Sequence, residues 1–188
     1  MLIANVLGIF LFLLLIWKRL KDDYHYEKIF NLCAFVLSGF LLGLVVSKSF
    51  LPTFWFWIIV SGIVLGFGIG INRLKIKFFE SFEGIIIGLL PWTGLFFLSD
   101  AIINASLSSF LLFWFTLICV FLFYFLDSHY RRFTWYKSGR VGFAGVLTLA
   151  VFFVIRAVTS LFFKNISSFV PTYESYVSGT VAFLLFLL

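Results

Sequence analysis

A chain of 188 residues that is 63% hydrophobic and only 12% charged, with 29 Phe and a mean hydropathy of +1.14, cannot clothe a water-soluble core in a polar shell. The composition is that of an integral membrane protein with no appended soluble domain. A net charge of +6 and a pI near 9.5 need no nucleic-acid partner, because basic loops facing an anionic inner leaflet account for them.

A helix needs about 20 apolar residues to cross ~30 Å of hydrocarbon. Seven apolar stretches lie near 1–17, 29–47, 53–71, 84–98, 107–126, 141–163 and 177–188. No basic residue precedes the first, and Lys18-Arg19 follow Trp17 directly where a cleavage site would need small residues. It therefore reads as a retained span rather than a signal peptide. The loop after it holds Asp22, Asp23, His25 and Glu27, a set able to bind a metal in principle, but interleaved cations mark a solvated loop. No metal or cofactor site is expected. Cys33 and Cys119 fall far apart in apolar stretches and read as small buried hydrophobes.

In the third stretch Gly62, Gly66 and Gly70 recur every four residues, with Gly68 between. Residues four apart share a helix face, so this stripe predicts close packing against another helix. The fourth stretch is short and contains Pro91-Trp92-Thr93-Gly94, which predicts a kinked or broken helix between Pro91 and Gly94. A bend is the simpler reading of that break, a site the other. After the fifth stretch, His129-Tyr130-Arg131-Arg132-Phe133-Thr134-Trp135-Tyr136-Lys137 mixes cations with amphipathic aromatics, as an interfacial segment does. The seventh stretch offers about 18 Å of helix before Leu188, and the sequence is expected to be truncated there.

Orientation follows from Lys and Arg, which short cytoplasmic loops retain. Loops one, three and five hold Lys18, Arg19, Lys21 and Lys28, then Arg73, Lys75 and Lys77, then Arg131, Arg132, Lys137 and Arg140. Loops two and six hold only Lys48 and Lys164. The expectation is an all-α, polytopic transmembrane bundle of seven spans forming one membrane domain, with the N-terminus outside and the C-terminus cytoplasmic.

Arg156 is the only Lys or Arg deep inside any stretch. A lone charge there costs at least ~2.5–3.5 kcal/mol on insertion scales and marks a candidate site. It falls in the outer half of the sixth span, about eight residues or ~12 Å from the outer end, too far to snorkel fully. Three anions are available to it: Asp100, Glu174 and a lipid phosphate, which a planar guanidinium can hold bidentately. Arg156 is thus a candidate lipid-binding residue, and an intramolecular salt bridge is the competing reading.

The order of these segments resembles bacterial prolipoprotein diacylglyceryl transferase. A basic loop ends in Lys28-Ile29 and leads to a span with Gly39 and Gly43. Ser61-Gly62-Ile63-Val64-Leu65-Gly66 is followed by the basic turn 73–77 and Phe78-Phe79-Glu80-Ser81-Phe82-Glu83. Lys137-Ser138-Gly139-Arg140 then leads into Val151-Phe152-Phe153-Val154-Ile155-Arg156. These parts cover most of the chain as pattern and order. The family's His-Gly-Gly motif would fall near 57–63, yet no His lies between His25 and His129. Its Arg-x-x-Asn-Phe motif would fall at 97–101, which reads Phe97-Leu98-Ser99-Asp100-Ala101. Phe152 and Ser160 stand where the family has Tyr and Glu. Arg156 carries over. The resemblance implies a multi-pass protein of the bacterial cytoplasmic (inner) membrane that handles phosphatidylglycerol and a lipoprotein precursor in lipoprotein biosynthesis. Transfer of a diacylglyceryl group to a cysteine is weakened or lost in this reading. The alternative is a non-enzymatic membrane protein, a small transporter-like or assembly subunit, in which Arg156 is structural.

Overall fold

The computed structural model describes residues 2–129, 142–163, 166, 168–170 and 172–188. The basic stretch 130–140 and its Lys137-Ser138-Gly139-Arg140, together with Val141 and Lys164, lie outside the described residues.

The described chain is helical. In order come α1 (Leu2–Leu20), α2 (Tyr26–Phe50), a 3-10 turn (Pro52–Phe54), α3 (Trp55–Leu74), α4 (Phe78–Asn104), α5 (Leu107–His129), α6 (Phe143–Phe162) and α7 (Glu174–Leu187). Six of these, α1 to α6, are long and apolar enough to cross a membrane. The seventh, α7, has 14 residues, about 21 Å, and falls short of a ~30 Å core by itself.

The helices alternate in direction. Gly39 and Gly43 of α2 meet Gly62 and Ile59 of α3, Leu20 and Phe12 of α1 meet Gly84 and Gly88 of α4, and Asp100 of α4 meets Ser109 of α5. One end of the bundle therefore collects the start of α1 and the α2–α3, α4–α5 and α6–α7 turns. The opposite end carries Lys18, Arg19, Lys21, Lys28, Arg73, Lys75 and Lys77. At that basic end the Tyr24 phenol donates to Glu80 (2.5 Å), and burial with that carboxylate raises its pKa above the usual phenol value.

The central element is α4, which packs on α1, α5 and α6. Half of its most apolar window is buried, against 22 to 39% in the other five long helices. Hydropathy placed this span at 84–98, cut short by Glu83 and Asp100. The helix runs instead for 27 residues, because both acids are buried with partners of their own. It also continues through Pro91, and the Thr93 hydroxyl donates to the Leu89 and Leu90 carbonyls (2.9 and 2.8 Å) in the same turn. The expected break between Pro91 and Gly94 is an uninterrupted helix. Gly94 faces Thr116 and Phe113 at ordinary contact distance.

The α2–α3 hairpin packs most closely. A methyl group added at Gly62 or Gly66 would run into the carbonyl oxygen of Gly39 or Phe35, and one at Gly43 would lie 2.8 Å from the Ile59 Cα. At Gly70 the obstacle is the Leu32 side chain, and at Gly68 nothing lies within 4 Å. Close backbone approach gains dispersion where lipid offers no hydrophobic drive between helices. The partner of the α3 stripe is thus the α2 face of Leu32, Phe35, Gly39 and Gly43. By contrast α3 approaches α4, α6 and α7 mainly through side chains.

Candidate functional site

Arg156, on α6, has no exposed surface, and Glu174, the first residue of α7, has 2%. Nε and one terminal nitrogen of Arg156 donate to Glu174 Oε1 at 3.1 and 2.7 Å. The other terminal nitrogen donates to Ser168 Oγ (3.2 Å), and the Ser168 carbonyl accepts a further bond (3.0 Å). Every guanidinium nitrogen is thus bonded inside the protein. The plane lies over the rings of Phe56 and Phe169, 3.8 and 4.9 Å from their centroids, as a desolvated cation–π pair does.

The carboxylate is equally occupied. Glu174 Oε1 also accepts from the Ser178 hydroxyl (2.6 Å), and Oε2 accepts from Trp57 Nε1 (3.0 Å) and the Val170 N–H (3.1 Å). One ion pair therefore fastens α6, α7, the segment between them and α3. Asp100 is not part of it: it lies at the α4–α5 turn, where Ser109 Oγ (2.5 Å) and Asn104 Nδ2 (2.8 Å) donate to it.

Phe56, which the Arg156 guanidinium covers, also lines an apolar cavity of about 240 Å³ between α1, α2, α3, α4 and α6. Its wall includes Phe40 and Leu44 from α2, Trp55, Phe56, Ile59, Val60 and Ile63 from α3, Ile86, Leu90, Trp92, Phe96 and Phe97 from α4, and Leu149, Phe152 and Phe153 from α6. Beside it α3 lies against α2 by its glycines and reaches α4 and α6 with long side chains, among them Trp55 on Phe96, Phe67 on Phe82 and Trp57 on Phe153. Trp57 stacks on the wall residue Phe153 (5.5 Å, 19°) while bonding Glu174, so the ion pair braces the wall through two aromatics.

Polar groups in the lining are few. Thr93 spends its hydroxyl on its own helix, and exposed Asn5 of α1 accepts from Trp92 Nε1 through Oδ1 at 3.4 Å. Among the described residues, no Lys, Arg or His lines the cavity. Such a site can hold hydrocarbon and one or two hydrogen-bonding groups.

A second ionic cluster lies at the basic end. Arg19 of α1 donates to Glu83 of α4 (2.6 Å) and to both oxygens of Asp127 of α5 (3.1 and 2.9 Å). Glu83, 2% exposed, also accepts from the N–H of Gly142 (3.0 Å), just ahead of α6. Gly142 holds φ +96°, a left-handed conformation suited to glycine, and a methyl there would meet the Phe79 ring. Sequence reasoning counted Arg19 among loop charges and stopped the fourth span short of Glu83. The available signal was an acid at the end of one span and an arginine at the end of another, placed on the same face by the loop alternation.

Of the residues singled out in the sequence, the fold brings Arg156 to Glu174 and Gly62, Gly66 and Gly70 to α2, and it leaves Asp100 and the pair Pro91 and Gly94 away from Arg156. The cavity had no counterpart in the sequence, because its lining comes from five helices. No family model matches the chain, and no curated protein or solved structure is significantly similar to it.

Proposed function

We propose that this protein is a seven-segment membrane protein, N-terminus outside, of the bacterial cytoplasmic membrane, and that its cavity holds the hydrocarbon chain of a lipid. The observation that carries the reading is the cavity itself, lined almost wholly by apolar and aromatic side chains at the end of the bundle that the charge alternation assigns to the outer leaflet. Arg156 serves this site as structure: its bonds from all three nitrogens to Glu174 and Ser168 support the alternative in which the cation is an internal pin rather than the anchor of a phosphate. The test is lipid retention by the detergent-purified chain, read by native mass spectrometry. Ile63→Trp and Leu149→Trp, which fill the cavity, are expected to strip most of the retained lipid, and retention equal to wild type in both variants sinks the reading.

Diacylglyceryl transfer is the narrower proposal that rests on the same cavity and on the resemblance to the transferase. It requires thioether-linked product from phosphatidylglycerol and a lipoprotein-type cysteine peptide. No product at equimolar protein removes it.

A further inference from the structure

Resting on the reading of the cavity as a lipid-chain site, we propose that it takes a single acyl chain laid along α3 and α4, and that the ring pair Phe67 and Phe82 sets the length of chain it prefers. The lining orders itself along the bundle. Leu44, Trp55 and Phe97 lie toward the end that carries the α2–α3 and α4–α5 turns, and Phe40, Ile63 and Ile86 lie deeper. Since α2 and α4 run toward that end and α3 away from it, all three helices give the space the same long axis.

Ring pairs between α3 and α4 mark both limits of this slot. At the rim Trp55 meets Phe96, with centroids 5.2 Å apart, and both line the cavity. One turn beyond Ile63 and Ile86, on the same helix faces, Phe67 meets Phe82 at 6.2 Å. Phe82 also stacks on Phe78 (5.5 Å, 12°), and Phe67 is buried, so the floor is a packed aromatic layer that does not yield to an overlong chain. Phe67 follows Trp55 by 12 positions and Phe96 follows Phe82 by 14, which is ~18 and ~21 Å of helix. Contact distances of ~3.5–4 Å at the rings leave a slot close to ~15 Å, the depth of one leaflet of a ~30 Å core. Its volume of about 240 Å³ is below the ~300–1,000 Å³ of sites for drug-sized ligands, and suits one chain rather than the two of a diacyl lipid.

The experiment offers the full chain in detergent a series of single-chain phosphatidylglycerols of increasing saturated length and reads retention by native mass spectrometry. Wild type is expected to hold one length best, and chains that overrun the floor at least ~5-fold less well, the factor that overpacking a fixed space supplies. Phe82→Ala opens the floor and should move the optimum to longer chains, while Ile86→Phe raises it and should move the optimum to shorter ones. Shifts of opposite sign separate a ruler from general damage to the fold, and if Phe82→Ala does not fold, Ile86→Phe alone decides. Retention indifferent to chain length, or an optimum unmoved in Ile86→Phe, overturns the inference and leaves the chain site standing, as does retention of two such lipids that Ile63→Trp removes together. No retention of any length by folded wild type overturns both.

Discussion

Arg156 and Glu174 each bury a formal charge, so deleting one partner is worse than deleting both. Arg156→Met strands a carboxylate among Ser178, Trp57 and the Val170 N–H, and Glu174→Gln strands a guanidinium that has no exposed surface. Breaking a buried pair from one side costs ~3–5 kcal/mol, whereas replacing both charges is often close to neutral. Each single variant is therefore expected to lower the thermal midpoint in detergent steeply, and Arg156→Met with Glu174→Gln to recover at least half of the loss. Additive losses in the double variant would show that the two side chains do not act as a pair. At this scale the sequence showed the need and put Glu174 among the three anions that could meet it, but Ser168, Trp57 and Phe56 come from other segments and carry no local signal.

At the scale of elements, the α2–α3 hairpin separates two kinds of glycine. Gly62 faces the Gly39 carbonyl with no room for a methyl, and Gly68 faces open space. Gly62→Val should push the helices apart, destabilise the chain by ~1–3 kcal/mol as overpacking does and distort the cavity wall formed by Ile59, Val60 and Ile63. Gly68→Ala should be neutral or mildly stabilising, since alanine favours a helix over glycine by up to ~1 kcal/mol. Thermal unfolding with a fluorescent thiol dye reads both, and equal effects at the two positions would contradict the packing assignment. The period of four made the stripe legible in the sequence. Its partners were not, because Gly39 and Gly43 lie on α2 at a register that only the hairpin turn defines. The length of α4 was hidden for the opposite reason: Glu83 and Asp100 look like interfacial boundaries when read along the chain, and become interior once Arg19, Ser109 and Asn104 arrive.

Across the whole molecule, hydropathy located five of the six long helices to within about three residues at each end, and α4 only at its centre, since each must exceed ~20 apolar positions to cross hydrocarbon. The proposed seven-segment, N-outside arrangement makes a direct prediction for accessibility. In a Cys33→Ser/Cys119→Ser background, single cysteines at Asp22 and Lys75 should react with a membrane-impermeant maleimide only after the membrane is opened, and one at Ser49 in intact cells. The reverse pattern inverts the proposed orientation and moves the cavity to the inner leaflet. What hydropathy could not contain is the empty space, since a cavity is a failure of five surfaces to meet.

The two ionic sites also impose an order on assembly. Glu83 follows Arg19 by 64 residues and Asp127 follows it by 108, while Glu174 follows Arg156 by only 18. In each case the cation is synthesised first and waits for its acid. Arg19 can wait at the water-facing end of α1, but Arg156 is embedded and has a helix hairpin's length of chain in which to be met. The last two helices are therefore expected to enter the bilayer together, as one neutralised unit.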